Sequence, residues 1–304
     1  RQYAIYRRAW NPVRTVARVA SPELEAAWPY DASVPPFQVW GKDKTPTLSR
    51  ELAGVMAADA QDPPNMDLYT SVVVKYPFAP HVDVAFPAAF HLYKGDELKA
   101  RACNTADGTF DVQFAASRDG IAWQRWREPY VAAGVHEGLD LKIVSMGPGM
   151  VRRGRLLYQY FVGCEFTHGR PVVWDKDLVN RAEWLKHPRG GLYCATQRVD
   201  GFISLNAANT PGTLTTRALV FKGSRLLLNV HTAGIGNAKV ALLQADGTPY
   251  PGFAASDCEL INADETDFEV CWKGGADVSA LAGKAVRVQV EMRNAQLFAL
   301  QFAP

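Results

Sequence analysis

The feature that most constrains this chain is the absence of any long run with helical periodicity. Aromatic and β-branched residues recur in short alternating stretches, cut by Gly, Pro, Asp and Asn. Alternation places successive side chains on opposite faces of a strand, and those four residue types serve the turns between strands. The pattern predicts antiparallel sheets throughout, an all-β fold class. With 304 residues the chain can build two cores of ordinary size. Its 48% hydrophobic and 21% charged residues are those of a folded globular protein rather than a disordered one.

Several function classes find no support. A net charge of +2 provides no field that would favour nucleic acid or an anionic membrane. The densest basic cluster, Arg152, Arg153 and Arg155, reads as a solvated turn. No apolar stretch approaches the roughly 20 residues that cross a bilayer, so no membrane span is expected. The chain begins with Arg1, and its first eight residues already alternate like the middle of a strand. We therefore expect sequence before Arg1, which would have carried the export signal of a secreted or periplasmic protein. The five cysteines, Cys103, Cys164, Cys194, Cys258 and Cys271, form no CxxC pair and no zinc-finger spacing. Cys258 and Cys271 either bridge neighbouring strands or serve as small buried hydrophobes. There is no Gly-rich phosphate loop, no Gly-x-Ser-x-Gly elbow and no His-Glu-x-x-His motif, so no cofactor is expected.

A weak internal repeat organises the first two-thirds. Residues 17–28 and 114–123 share one plan: an apolar strand, a Ser, an acidic turn, then a Trp. Ser21 and Ser117 stand 96 residues apart, and residues 191–202 form a looser third copy. Between the copies lie strand pairs. Leu68–Tyr76, His81–Tyr93, the strand ending at Ser117 and the strand holding Trp123 make four antiparallel strands, the content of one propeller blade. Ile143 to Arg152, Leu156 to Val162, Gly191 to Arg198 and Phe202 to Leu205 repeat that order. Residues 1–197 thus supply about two and a half blades, the ring being completed by sequence before Arg1. From about Arg198 the character changes. Val240 and Leu242 share one face; Val286, Val288, Val290 and Met292 line another, with Arg287, Gln289, Glu291 and Arg293 opposite. Phe298, Leu300 and Phe302 continue the alternation, Asp246-Gly247 marks a hairpin turn, and residues 277–283 suit one capped helical turn. One apolar and one polar face is the pattern of a β-sandwich, assigned to residues 198–304.

Three segments carry a resemblance. Ser117-Arg-Asp-Gly-Ile-Ala-Trp123 resembles the blade-turn motif of the five-bladed propeller glycosidases around glycoside hydrolase families 32 and 43. Asp62-Pro-Pro-Asn-Met-Asp-Leu-Tyr69 resembles their acidic strand-opening segment. Residues 198–304 resemble the sandwich that follows such propellers, through Arg198–Leu205, Gly212–Thr216, Leu226–Val230, Asp257-Cys258 and Leu297–Phe302. The resemblance implies a five-bladed propeller when complete, followed by a β-sandwich, and a glycoside hydrolase-like protein with a carbohydrate partner. The chain departs from that pattern in two ways. The family draws a nucleophile or base from its first blade, and its Glu-Cys acid/base signature appears here only in reversed order, Cys164-Glu165.

Glycoside cleavage needs two carboxyl groups flanking one bond. Asp67 opens an innermost strand, with Asp62 and Asp59 just before it, and the competing reading of Asp62-Pro63-Pro64-Asn65 is a plain turn. Glu137 and Asp140 precede the next innermost strand, and Glu165 follows the strand ending at Val162. Each of these three is either a site carboxylate or a solvated loop residue. Tyr69, Arg118, His168 and Trp126 are the candidate sugar contacts, with Trp174 and Trp184 as further stacking platforms. His81 and His91 read as structural. The alternative to an enzyme is a non-catalytic carbohydrate-binding protein, or an interaction propeller.

Overall fold

The computed structural model describes residues 2–10, 13–25, 53–96, 107–169 and 190–304. Among these the fold is all-β, its one assigned helical element of note being a 3-10 turn at Ser279–Leu281. Among the described residues no helix is long and apolar enough to cross a membrane. The chain divides into two compact units, one of Arg1–Val151 with Tyr158–Ala195, the other of Arg152–Leu157 with Thr196–Pro304.

The first unit opens with β1 (Tyr3–Trp10), β2 (Arg14–Ser21) and β3 (Ala53–Met56), an antiparallel sheet in that order. Next come β4 (Met66–Lys75), β5 (Asp83–Leu92), β6 (Gly108–Ser117) and β7 (Gln124–Val131), an antiparallel meander. A small hairpin, β8 (Gly134–His136) and β9 (Leu139–Leu141), precedes β10 (Ile143–Met146), β11 (Val151–Arg153), β12 (Leu156–Cys164) and β13 (Gly190–Arg198). One parallel bridge, Ile143 to Phe110, joins β10 to β6 and makes the two strand groups a single curled sheet of eight strands.

β5 is buried on both faces, and its sequence shows how. Ala85 and Ala89, with Ala115 of β6, pack with Val16, Met56, Met66 and Leu68, while Phe86 and Phe90 fill the opposite side. Small residues admit the first sheet closely; large rings occupy the wider space. Pro87 sits in this interior strand opposite Ser71 of β4, and the β4–β5 register slips just beyond it, between Leu68 and Ser71. The extra residue of that bulge falls at Tyr69-Thr70, which re-aims the side chains there.

The repeated Ser has a local physical basis. At the end of β6, Ser117 Oγ accepts the Gly120 N–H at 2.9 Å, and Asp119 accepts those of Ile121 and Ala122 at 2.8 Å. At the end of β2, Ser21 Oγ accepts the Glu23 N–H at 3.2 Å. Both strands end in a Ser-led turn. Trp123 packs edge-on to Tyr6, 5.9 Å between ring centres, and the Tyr6 hydroxyl donates to the Gly120 carbonyl. Two strand expectations fail. Ile143 to Arg152 is interrupted at Gly147–Met150, giving β10 and β11. Phe202 to Leu205 does not add a fourth strand beside Gly190–Arg198: residues 199–202 turn, with Asp200 at φ 56°, and deliver the chain to a different sheet.

That sheet is the second unit's. β14 (Leu205–Ala207), β15 (Gly212–Thr215) and β16 (Leu219–Val220) pair in turn along β19 (Ala285–Ala303), whose other edge is held by β17 (Arg225–Leu243) and then β18 (Asp264–Glu269). The alternation of β17 and β19 builds the core: Leu226, Leu228, Val240, Leu242, Val286, Val288, Val290 and Met292, with Trp272, Ile261 and Val278 packed on them. Trp272 also donates its indole N–H to the Val240 carbonyl at 3.0 Å. Asp246-Gly247 does make the hairpin turn, with Gly247 at φ 90° and Asp246 accepting the Thr248 N–H. Phe298 does not share a row with Leu300 and Phe302. Pairing passes from Asn229–Ala299 to Val230–Leu297, so Phe298 is the extra residue of a bulge, where the Arg198 guanidinium lies 5.0 Å from its ring centre. Cys258 and Cys271 lie on hydrogen-bonded segments and are unbridged; Cys258 is buried and packs in this core. Cys103 lies outside the described residues.

Candidate functional site

The candidate residues fall into separate neighbourhoods, and one of them gathers three. Asp67 and Tyr69 come from β4, and His168 follows β12. His168 and the Tyr69 hydroxyl are hydrogen-bonded through the imidazole Nε2 at 2.9 Å. The Tyr69 ring packs on Phe110 and edge-on to Phe90, with centres 4.8 and 5.5 Å away, and His168 lies 4.9 Å from Phe90.

A buried acid holds His168 in place. The Asp107 carboxylate, 1% exposed, accepts N–H groups of Gly108 and Gly169 at 2.7 Å and the Thr167 hydroxyl at 3.0 Å. The His168 N–H then donates to the Gly108 carbonyl at 3.0 Å. A carboxylate fixed by three donors locks both segments it touches, which makes Asp107 a positioning residue. Gly108 has to be glycine, since a Cβ there would lie 2.0 Å from the His91 carbonyl oxygen.

Two arginines complete the cluster. Arg14, at the start of β2, forms an ion pair with Asp67 at 3.0 Å and lies 5.2 Å from the Tyr69 ring centre. Arg8, exposed on β1, stands 4.3 Å over the same ring. Asp67 is 3% exposed, and burial raises its pKa above the ordinary carboxyl value, against the opposing pull of Arg14 and Arg8. Its second oxygen, Oδ1, has no hydrogen-bond partner among the described residues. The arrangement sets a buried carboxyl group with a raised pKa and a phenol–imidazole pair beside an exposed guanidinium, with Phe90 and Phe110 packed as buried rings. Such a mixture of fixed polar groups and rings suits a polyhydroxylated ring.

The remaining candidates serve elsewhere. Asp62 is clasped by Arg125 through both guanidinium nitrogens and by Arg127 at 3.3 Å, and it accepts the Asp59 N–H at 2.8 Å. Asp59 in turn accepts the Gln61 N–H and pairs with Arg127, so this segment is a turn closed by its own acids. Glu137 occupies the tip of the β8–β9 hairpin at φ 49°, and Asp140 is exposed and paired with Lys142 at 2.6 Å. Glu137 borders a cavity of about 790 Å³ with His136, Phe161 and Tyr193. Glu165 directly follows β12, two residues before Thr167, and forms no ion pair among the described residues. Arg118 lines a smaller concavity of about 540 Å³ with Trp123. Trp126 packs on Phe114 at 5.4 Å, whereas Trp174 and Trp184 lie outside the described residues. His81 is exposed on a turn, and His91 pairs with Asp111 at 2.7 Å, which lifts the imidazole pKa.

Sequence reasoning missed Arg8, Arg14 and Asp107. Arg8 and Arg14 read as two of many scattered cations, and only the sheet contacts bring them to Asp67 and Tyr69. No protein-family model and no curated protein matches the chain, so the functional reading rests on this geometry.

Proposed function

We propose that the chain is a carbohydrate-binding protein of glycosidase-like architecture, holding an oligo- or polysaccharide at the Asp67–Tyr69–His168 site. The observation that carries this reading is the buried Asp67 carboxyl beside the Tyr69–His168 pair, set among Phe90, Phe110 and an open guanidinium. Binding is favoured over cleavage because, among the described residues, Asp67 alone of the five candidate acids contacts this cluster, while hydrolysis uses two. The architectural part of the proposal makes β1–β3 the last three strands of one propeller blade, β4–β7 a whole blade, and β10, β12 and β13 the first three of the next. Its support is the matching Ser-led turn that ends β2 and β6, the third strand of each blade in this count. The second unit is read as the accompanying β-sandwich, on the alternation of β17 and β19.

A second reading, hydrolysis, is favoured by the raised pKa of Asp67 and by its Oδ1, which has no hydrogen-bond partner among the described residues, properties of a general acid. Glu165 is the partner carboxylate to test. A glycan array probed with the wild type and Tyr69→Ala tests the main reading. Retention of a glycan by the wild type and its loss in the variant supports it; equal retention by both, or none, refutes it. Release of reducing ends that stops in both Asp67→Asn and Glu165→Gln would replace it with the hydrolytic reading.

A further inference from the structure

The charge balance of the site points to the class of saccharide. Two guanidinium groups, Arg8 and Arg14, lie 4.3 and 5.2 Å from the Tyr69 ring centre, and both act on the field at Asp67. Among the described residues Asp67 is the carboxylate that answers them, and Arg14 pairs with it. Arg14 is nearly buried and is committed to Asp67 and to the Phe90 ring, 5.1 Å away. Arg8 differs: it is exposed, and no carboxylate lies within ion-pair distance of it among the described residues. Its contact with the Tyr69 ring, 4.3 Å from the ring centre, restrains where its N–H donors can point. An exposed guanidinium beside that ring has N–H donors to offer a planar oxyanion. Next to it, the Tyr69 hydroxyl and His168 supply hydrogen-bonding groups suited to ring hydroxyls.

Resting on the carbohydrate-binding reading, we propose that this site selects acidic saccharides, with the Arg8 guanidinium gripping a sugar carboxylate while Tyr69 and His168 contact the ring hydroxyls. Arg14 holds Asp67 and does not meet the ligand directly. The exposed Arg8 cation also implies attraction that weakens with salt, since exposed charges are screened over about 10 Å at 0.1 M.

The test is calorimetric titration of the full chain with three trisaccharides: a trigalacturonate, a neutral galactose trimer, and a sulfated galactose trimer. The expected result is binding of trigalacturonate that weakens with added salt and falls about ten- to a hundredfold in Arg8→Gln. Arg153→Gln, an exposed arginine assigned to the second unit, is expected to leave it unchanged. Tighter binding of the sulfated trimer, lost in Arg8→Gln, would assign the guanidinium to sulfate and overturn the carboxylate preference. Equal binding of the neutral and acidic trimers, insensitive to Arg8→Gln, would overturn the acidic preference and leave the carbohydrate-binding reading standing. Absence of binding to glycans on the array as well as to all three trimers would overturn both.

Discussion

Replacing Asp62 by Asn separates a structural acid from a functional one. The Asp62 side chain is 1% exposed and its Arg125 partner 6%, so the guanidinium–carboxylate pair is almost wholly desolvated. Removing the charge of one member strands the other, a change that costs about 3–5 kcal/mol for buried pairs. Two groups soften the loss: the Gln113 amide oxygen accepts from Arg125 at 2.7 Å, and Asp59 stands 3.6 Å away. The expected destabilisation is about 3 kcal/mol, toward the lower end of that range. Asp59→Asn is expected to do far less, since its side chain is half exposed and exposed pairs contribute little. Hydrogen exchange read by mass spectrometry on peptides covering β4, β6 and β7 checks this within the first unit. Earlier exchange in Asp62→Asn, with glycan affinity retained where the protein is folded, is the expected outcome. An Asp62→Asn protein as stable as the wild type and unable to bind would refute the clasp and return Asp62 to the site.

Two further outcomes follow from the same reasoning. His91 has its pKa raised first by the hydrogen bond to Asp111, so its contribution to stability is complete below the ordinary histidine value and is lost as pH rises through the folded-state value. Denaturant midpoints across that window should fall in the wild type and fall less in His91→Gln; equal slopes would contradict the pair. Trp272→Ala removes a ring that is 1% exposed together with its hydrogen bond to Val240, and should cost the second unit about 3–5 kcal/mol in chemical denaturation, while a loss below about 1 kcal/mol would show that the core collapses around the gap.

The sheet content was legible because alternation and turn residues act locally. Val286, Val288, Val290 and Met292 are buried as their spacing required, and Ser117-Arg-Asp-Gly turns the chain through its own side chains. Bulges were not legible: one extra residue at Phe298 or Tyr69-Thr70 shifts the phase of a strand without any local signal. The fourth strand expected at Phe202–Leu205 failed for a similar reason, since pairing partners are chosen by distant segments and β14 found β19. Asp67, Tyr69 and His168 could be named from strand order and residue chemistry. Arg14 could not, because it reaches Asp67 across 53 residues of chain, and neither could Asp107, whose role is to tie one loop to another strand.

The most direct test of saccharide binding at Tyr69 and His168 is imidazole nitrogen NMR of the chain during titration with the oligosaccharide selected on the array. His168 donates to or accepts from the Tyr69 hydroxyl at 2.9 Å, so a sugar hydroxyl entering there must change its ring-nitrogen environment. The expected result is a saturable shift of the His168 resonances, absent in Tyr69→Ala, with His231 of the other unit unmoved. A shift at His136, which borders the cavity beside Tyr193, with His168 silent would place the ligand elsewhere and contradict the site.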